Sequence, residues 1–348
     1  MFHIPPSLCY NLPPALPAEP ANLHLAYSGS SRGGATRLMR LYHVIEAQQF
    51  DRPTLLDIFQ LAKQMEQVVH LGGIAEFHHR IMATLFYEPS TRTRFSFETA
   101  MHRLGGRVVT TENAAEFSSG AKGETLEDTI RILNGYADVI VMRHYEVGSA
   151  KRAARVSRVP IINAGDGAGQ HPTQALLDLY TIHKEIGEVD GLHIAMVGDL
   201  ANGRTVRSLA YLLTKFQGTR IYFVAPSLLR MKDDILAYLR KRRVTYVEES
   251  ALERVLPEVN VVYQTRIQKE RFGDRLEDYE ACRGIYTINK DSLKLMKPDA
   301  IIMHPLPRVD EISMDVDDDP RAAYFRQAQN GLYVRMALLS KVLENAPR

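Results

Sequence analysis

The chain alternates between short apolar runs and longer amphipathic segments. The nearly continuous apolar run at residues 81–87 predicts a buried β-strand. Apolar side chains then recur on one helical face, at Phe97, Ala100, Met101 and Leu104, and Gly105-Gly106 predicts the end of that helix. Eight further strands are predicted at 107–109, 138–142, 159–163, 193–197, 220–225, 244–247, 259–263 and 300–303. Further helices are predicted near residues 55–69, with Thr54 as the cap, and at 125–134, 172–186, 206–215, 232–241 and 330–343.

This alternation of strands and helices predicts an α/β protein with parallel sheets that helices cover on both faces. In such sheets, ligands bind beyond the carboxyl ends of the strands. A second α/β unit starts near Leu192, and the length of 348 residues also favours two domains. Residues that bind a ligand are therefore expected in the segments that directly follow predicted strands.

One such segment concentrates groups that bind anions. The turn after the first strand contains Ser90, Thr91, Arg92 and Thr93. The N-terminus of the following helix presents unpaired N–H groups and the positive end of the helix dipole. An ordinary capped helix start is the alternative, but Arg92 and Arg94 would oppose the dipole unless an anion offset them. The turn therefore predicts a site for a dianion such as phosphate.

Other strand ends carry further polar groups. Arg143 follows the strand at 138–142, and His171 precedes Pro172 at the predicted N-terminus of a helix. Position alone makes His171 a candidate for function, although a capping or core histidine is the usual alternative. Arg266 and Gln268 are two residues apart after a strand, so they point the same way if the chain stays extended. The prolines of His304-Pro305-Leu306-Pro307-Arg308 predict an extended turn with exposed carbonyls.

Two loops allow more than one interpretation. The stretch Gly198 to Thr205 nearly matches the phosphate-binding loop of nucleotide triphosphatases, but Arg204 stands where that loop has lysine. A guanidinium is not equivalent to that lysine, and its planar fork fits a carboxylate better. The small-residue loop at 116–125 carries Lys122; a solvated surface loop is the simpler interpretation, and an active-site lid is the alternative.

Composition excludes several classes of protein. Charged residues make up 24% and the net charge is +2, which does not suggest a nucleic-acid-binding protein. Two cysteines, Cys9 and Cys282, rule out a disulfide framework and a cysteine-rich metal site, and no apolar run reaches the length of a membrane span.

Residues 1–40 are rich in proline and contain one acidic residue, Glu19. They are predicted to be a disordered extension or an organelle transit peptide.

Several motifs, in this order, resemble one enzyme family. They are Phe86-Tyr87-Glu88-Pro89-Ser90-Thr91-Arg92-Thr93-Arg94, Lys122-Gly123-Glu124-Thr125-Leu126, Val141-Met142-Arg143-His144, Asn163-Ala164-Gly165-Asp166-Gly167, His171-Pro172-Thr173-Gln174, Met196-Val197-Gly198-Asp199-Leu200, Gly203-Arg204-Thr205-Val206, Thr265-Arg266-Ile267-Gln268-Lys269-Glu270-Arg271 and His304-Pro305-Leu306-Pro307-Arg308. From about Tyr42 to Leu343 the chain resembles the catalytic subunits of the aspartate/ornithine carbamoyltransferase family, and in particular plant-type aspartate enzymes.

The resemblance implies a fold and a reaction. The fold would be two three-layer α/β domains, each with a mostly parallel sheet covered by helices, linked by two interdomain helices. Residues 41–186 plus 330–348 would bind carbamoyl phosphate and residues 187–329 would bind aspartate. Carbamoyl phosphate and L-aspartate would give N-carbamoyl-L-aspartate and phosphate, the committed step of pyrimidine (UMP) biosynthesis. The enzyme would be a homotrimer with shared active sites. A regulatory subunit is possible but not implied.

The resemblance also implies roles for individual residues. The carbamoyl phosphate site would contain Ser90, Thr91, Arg92, Thr93, Arg143, His171, Gln174 and the carbonyls of Pro305 and Leu306. The aspartate site would contain Arg204, Arg266, Gln268 and Lys122, with Ser118 and Lys122 coming from the neighbouring subunit. Thr93, Arg143, His171 and Lys122 would act in catalysis, without metal or cofactor.

Three alternatives remain at the sequence level. The ornithine carbamoyltransferases share the Ser-Thr-Arg-Thr-Arg turn, but they usually carry His-Cys-Leu-Pro where this chain has His304-Pro305-Leu306-Pro307, and Arg266 would repel a second amine. An inactive scaffold and a nucleotide triphosphatase are the others. No membrane or nucleic-acid partner is expected. The compartment is the cytoplasm, or the plastid stroma if residues 1–40 are a transit peptide.

Overall fold

Two parallel β-sheets organise the residues that the structure, a computed structural model, describes: 40–114, 123–269, 272–274 and 276–346. The first sheet has the order β2-β1-β3-β4 and the second the order β7-β6-β5-β8-β9. The strands are β1 (Ile81–Phe86), β2 (Arg107–Thr111), β3 (Val139–His144), β4 (Ile161–Asp166), β5 (His193–Val197), β6 (Arg220–Val224), β7 (Thr245–Glu249), β8 (Val261–Gln264) and β9 (Ile301–Met303). All nine predicted strands are therefore present, and every pairing between them is parallel.

Helices cover both sheets, as predicted. Their bounds are α1 (Arg52–His70), α2 (Thr91–Arg103), α3 (Leu126–Leu133), α4 (Ser149–Val156), α5 (Pro172–Ile186), α6 (Arg204–Leu213), α7 (Asp233–Lys241), α8 (Leu252–Val255), α9 (Leu276–Cys282), α10 (Lys290–Leu295) and α11 (Tyr324–Glu344). Short 3₁₀ turns lie at Ala47–Gln49, Ser227–Leu229, Leu256–Glu258 and Met314–Val316. None of the helices in these described ranges is both long and apolar enough to cross a membrane.

Two helices connect the two parts of the structure. Helix α5 is buried from Pro172 to Ile182 at every residue except Gln174, because it packs on α6 as well as on α11. Helix α11 packs on α1, α2 and α5 and also contacts β9 of the second sheet. The predicted fold class, with two linking helices, is confirmed.

Three details of the predicted elements are wrong. The cap of α1 is Asp51, whose carboxylate accepts a hydrogen bond from the Thr54 N–H, so Thr54 is the third residue of the helix. Helix α11 begins at Tyr324, six residues before the predicted start. Helix α6 begins at Arg204, two residues before the predicted start, so Arg204 belongs to the first helical turn.

The order of the strands determines where a ligand can bind. In each sheet the chain moves outward in one direction and then returns to the other side of its first strand, next to β1 in one sheet and β5 in the other. The connections therefore diverge between β1 and β3, and between β5 and β8. Such switch points open a crevice outside the carboxyl ends of the strands.

Gly198 sets the close approach of two strand ends in the second sheet. It follows β5 with φ +109°, and a Cβ at this position would lie 2.4 Å from the Thr265 carbonyl oxygen beyond β8. Only glycine meets both conditions without displacement of the backbone.

We expect Gly198→Ala to lower the free energy of unfolding by about 3 kcal/mol, because it combines backbone strain with overpacking. Chemical denaturation followed by circular dichroism measures this change. Gly135→Ala is the matched control: Gly135 is exposed, has no positive φ and would place its Cβ no closer than 3.5 Å to another atom. Equal stability of the two variants would contradict the close approach at Gly198.

Candidate active site

One cavity of about 820 Å³ opens at the carboxyl ends of strands from both sheets. It is lined by Arg143 near the end of β3, by the segments that follow β1, β5, β8 and β9, and by parts of α5 and α11. Twelve residues proposed from the sequence lie on its wall: Ser90, Thr91, Arg92, Thr93, Arg143, His171, Gln174, Arg204, Arg266, Gln268, Pro305 and Leu306. Ser118 and Lys122 lie outside the described residues.

The first wall of the cavity is the N-terminus of α2. The helix begins at Thr91, and Ser90 occupies the cap position without forming a side-chain cap hydrogen bond. Thr93 is buried, whereas Arg92 remains exposed at the cavity, and partial desolvation lowers the pKa of Arg92 from its ordinary value. Backbone N–H groups, hydroxyls and one guanidinium therefore converge at the positive end of a helix, as anion binding requires.

The second arginine of this turn does not belong to the cavity. Arg94 forms ion pairs with Glu112 at 2.9 Å and with Glu98 at 3.6 Å. Protein carboxylates therefore offset the charge of Arg94. The prediction that Arg92 and Arg94 both need an external anion is wrong for Arg94. Only Arg92 of this pair lines the cavity.

Two guanidiniums from different sheets share one carboxylate. Glu88 Oε2 lies 3.4 Å from Arg143 Nε and 3.5 Å from Arg204 Nη1. Burial, the nearby Arg204 and, less strongly, Arg92 lower the pKa of Arg143 to about 9, although Glu88 opposes this shift. Arg143 Nε is buried and finds no hydrogen-bond partner among the described residues. The cavity thus holds more positive charge than Glu88 can offset.

Arg204 reaches the cavity across a glycine loop. Its Nη1 donates a 2.7 Å hydrogen bond to the carbonyl oxygen of Gly167. Gly165 has φ +118°, and a Cβ there would lie 3.0 Å from the guanidinium carbon of Arg204. The end of β4 in the first sheet therefore accommodates and orients the side chain of Arg204, which lies at the start of α6 after β5 of the second sheet.

His171 lies at the N-terminus of α5 and is only 4% exposed. Its backbone N–H donates to Ser208 Oγ on α6 at 3.0 Å, which links the starts of the two helices. Burial, together with Arg204 and Arg143, holds the pKa of its imidazole well below the ordinary value. A neutral imidazole at this position can donate one hydrogen bond without adding another positive charge.

The turn after β9 differs from the predicted extended shape. Leu306 has φ +52°, in the left-handed region, and the Leu306–Pro307 peptide bond is cis. The Leu306 N–H donates to His304 Nδ1 at 2.7 Å, so His304 Nε2 carries the proton that is shared with Glu311 at 2.7 Å. The prediction of an extended turn is wrong because these side-chain hydrogen bonds bend the chain back on itself. Pro305 and Leu306 nevertheless line the cavity.

Several polar residues of the cavity wall were not among the site residues proposed from the sequence, and Glu88, Asp199, Gln327 and Arg335 are among them. Arg335 is 4% exposed, donates to Ser96 Oγ at 2.8 Å, and has a pKa that burial lowers to about 10. The sequence does indicate a buried charge at Arg335, because this residue interrupts the apolar run Val334 to Leu339 of a predicted helix. Gln327 lies before the predicted start of that helix and gave no comparable signal.

No group of three or more histidine, cysteine or carboxylate side chains in the described ranges is arranged to hold a metal ion. The polar groups of the cavity wall are mainly cationic donors, hydroxyls and amides. These groups are suited to bind and orient small anions.

Comparisons with known proteins agree with this geometry. A family model described as aspartate/ornithine carbamoyltransferase, carbamoyl-P binding domain, matches residues 42–184, and the model of the Asp/Orn binding domain matches residues 190–342. The chain belongs to the aspartate/ornithine carbamoyltransferase family, and the resemblance of its motifs to that family is confirmed.

Three similar proteins carry the name aspartate carbamoyltransferase or its synonym aspartate transcarbamoylase. The chain is 58% identical to the chloroplastic aspartate carbamoyltransferase of Oryza sativa subsp. japonica, over 95% of this chain and 92% of the relative. The solved catalytic subunit of Methanocaldococcus jannaschii aspartate transcarbamoylase is 49% identical with a TM-score of 0.81, covering 87% of this chain and 98% of that one. The Trypanosoma cruzi aspartate transcarbamoylase bound to N-(phosphonacetyl)-L-aspartic acid is 45% identical with a TM-score of 0.82, covering 86% and 95%.

We expect His171 to remain neutral between pH 6 and 8, because burial and two nearby guanidiniums disfavour its protonated form. The ring carbon resonances of ¹³C-labelled histidine report this directly during a pH titration. The signal of His171 is identified by its absence in His171→Asn, and the exposed His70 serves as the internal control. A titration of His171 near pH 6.5 would contradict the proposed electrostatics.

Proposed function

We propose that this chain is an aspartate carbamoyltransferase that converts carbamoyl phosphate and L-aspartate to N-carbamoyl-L-aspartate and phosphate, the committed step of pyrimidine biosynthesis. The observation that carries the proposal is the convergence of Arg92, Arg143, Arg204 and Arg266 on one cavity between two parallel sheets. Both substrates carry about two negative charges, and such a cluster of cations concentrates them. The aspartate carbamoyltransferases among the similar proteins support the same assignment.

We assign the two substrates to opposite sides of the cavity. Residues 41–186 plus 330–348 would form the carbamoyl phosphate domain, and residues 187–329 the aspartate domain. The phosphate group would bind at the α2 N-terminus, where Ser90, Thr91, Arg92 and Thr93 meet Arg143. Helix N-terminal N–H groups favour phosphate oxygens, and guanidiniums add charge-assisted hydrogen bonds.

The carbamoyl group would lie between donors and acceptors. Thr93, Arg143 and His171 would donate hydrogen bonds to its oxygen. Gln174 and the carbonyls of Pro305 and Leu306 would accept hydrogen bonds from its amino group. As the amine attacks, negative charge develops on the carbamoyl oxygen, and removal of one donor of this kind costs roughly 10²- to 10³-fold in rate.

The aspartate would bind on the second side. Arg204, Arg266 and Gln268 would hold its two carboxylates, with Lys122 added from a neighbouring subunit. The planar fork of a guanidinium matches the two oxygens of a carboxylate. Arg204 and Arg266 would repel a cationic side chain such as that of ornithine, which argues against the ornithine branch of the family.

The chemistry needs no nucleophile from the protein, because carbamoyl phosphate is already activated. The aspartate amine forms a bond to the carbamoyl carbon, and a tetrahedral intermediate carries the charge on oxygen. The carbon–oxygen bond to phosphate then breaks, and phosphate leaves with the electron pair. A phosphate oxygen accepts the proton that the amine loses. The protein contributes orientation and charge stabilisation.

Two other functions are less well supported. A nucleotide triphosphatase would use residues 198–205 to hold phosphates, but Arg204 instead contacts the Gly167 carbonyl and approaches Glu88. An inactive scaffold would not need to retain a cavity that includes twelve of the expected site residues.

We propose a homotrimer whose active sites are completed by Ser118 and Lys122 of the neighbouring subunit. For the compartment, we propose the plastid stroma, because residues 1–40 have few acidic residues and several relatives are named as chloroplastic. The cytoplasm is the alternative. A regulatory subunit remains possible and is not required by the chemistry described above.

We expect Arg92→Ala to lower kcat/KM for carbamoyl phosphate on the order of 10³-fold, because it removes a charge-assisted contact to phosphate. Arg94→Ala is the matched control, since it removes the same side chain two residues away outside the cavity. It should keep turnover within a few-fold of the wild-type value. Initial rates with aspartate as acceptor measure both. Similar losses in the two variants would contradict a phosphate site at Arg92.

We expect a mixture of Lys122→Ala and Arg92→Ala subunits, denatured and refolded together, to recover activity that neither variant has alone. Each mixed trimer would contain about one site with both native residues. Mixing Arg92→Ala with Arg143→Ala is the control, and it should give no recovery because both residues would belong to the same subunit of each site. Absence of recovery in the first mixture would overturn the shared site.

A further inference from the structure

A buried carboxylate lies behind the cavity and has no role in the reaction described above. Asp178 is on α5, one helical turn after Gln174, and it is fully buried. Its Oδ1 accepts hydrogen bonds from Gln174 Nε2 at 2.8 Å and from Gln327 Nε2 at 2.6 Å. Its Oδ2 accepts one from the Tyr263 hydroxyl at 2.7 Å. Asp178 thus joins α5 to α11 and to strand β8 of the second sheet.

Burying an ionised carboxylate in this position costs free energy, and the groups around it offset only part of that cost. Burial raises the pKa of Asp178 to about 6, although its three hydrogen-bond donors and the charge of Arg335 oppose that shift. At neutral pH the group is therefore ionised and can only accept hydrogen bonds. An apolar side chain would fill the same space without this cost, which suggests that the acceptor itself is needed.

The ionised carboxylate determines which way the Gln174 amide points. Because Asp178 can only accept, the Nε2 group of Gln174 must face it. The other end of the amide, Oε1, is then the atom left for the cavity that Gln174 lines. Without an acceptor behind it, the amide could rotate and present N–H donors to the ligand instead.

The same carboxylate reaches the turn after β9 through a second amide. Gln327 donates its Nε2 to Asp178 and accepts the His304 N–H on Oε1 at 2.8 Å. His304 in turn accepts the Leu306 N–H on Nδ1. These hydrogen bonds occupy the backbone N–H groups of His304 and Leu306. The remaining backbone polar groups of this turn near the cavity are therefore carbonyl oxygens. Asp178 therefore influences both places where acceptors line the cavity.

We propose that Asp178 is a positioning residue that keeps one end of the cavity composed of hydrogen-bond acceptors, and so selects an acyl phosphate with an amino group over one with a methyl group. The proposal rests on the proposed function, in which Gln174 and the carbonyls of Pro305 and Leu306 meet the carbamoyl amino group. Acetyl phosphate is the matching probe, because it replaces that amino group with a methyl group of similar size. It cannot donate a hydrogen bond to these acceptors.

The test compares Asp178→Leu with Asp178→Asn. Leucine has a similar size and no acceptor, whereas asparagine keeps an oxygen for the two amides. Calorimetric titration measures the affinities for carbamoyl phosphate, acetyl phosphate and inorganic phosphate. In Asp178→Leu we expect carbamoyl phosphate to bind at least about tenfold more weakly, because the orientation of its acceptors is lost. The other two ligands should stay within about twofold, and Asp178→Asn should retain most of the preference.

Two further variants separate this role from a structural one. Tyr263→Phe removes a donor to Asp178 without touching either amide, and it should keep the preference for carbamoyl phosphate. Gln327→Leu cuts the connection to His304 and should reduce the preference partially, which keeps the proposal testable if Asp178→Leu does not fold. Equal weakening of all three ligands, or an unchanged preference in Asp178→Leu and Gln327→Leu, would overturn it. Wild-type protein that fails to carbamoylate aspartate would instead contradict the proposed function.

Discussion

The repulsion among guanidiniums gathered in one partly enclosed cavity is the constraint on which the rest of the structure depends. Arg143 and Arg204 lie on either side of Glu88, and burial together with Arg204 and, less strongly, Arg92 lowers the pKa of Arg143 to about 9. Such a cluster is unfavourable unless rigid elements hold each side chain in place and an anion offsets the charge. The parallel sheets provide that rigidity, because each arginine lies at the end of a strand, just after a strand or in the first turn of a helix. The net charge of +2 for the whole chain shows that this concentration is local.

The topology of the sheets and the polar contacts between them together create the site. Each sheet has a switch point, and the four arginines, on β3 and on the segments after β1, β5 and β8, all lie at these two points. Helices α5 and α11 connect the two parts, and buried polar side chains pair between them, as Gln327 does with Asp178 and Asn330 with Thr181. Asp178 receives hydrogen bonds from its own helix, from α11 and from β8. The two halves of the cavity therefore share one buried hydrogen-bond network.

The sequence predicted local elements better than it predicted their ends. Apolar runs located the central strands because a strand buried on both faces must be apolar over its whole length, whereas the edge strands β2 and β7 are partly exposed and carry shorter apolar runs. The cap of α1 was misplaced because Asp51 and Pro53 together form the stronger start signal, and Pro53 fits the first turn since it needs no N–H partner. The start of α11 was predicted too late because no side chain caps Ala323, and packing rather than local sequence begins that helix. Arg94 was assigned to the anion site because its partner Glu112 lies on another segment.

The sequence by itself determined the alternation of strands and helices, the turn at residues 90–93 that starts a helix, and the family, because these depend on side-chain periodicity and on contiguous motifs. Only the tertiary structure decided which charges meet. In the folded chain Arg94 pairs with carboxylates, and Arg335 lines the cavity from the last helix. The turn at Leu306 bends because its N–H donates to His304, and Asp178 lies behind Gln174. The physical reason is that charge compensation and hydrogen bonding depend on distances between atoms, and separate segments of the chain supply many of the partners, as Gln327 does for Asp178 and Ser96 for Arg335.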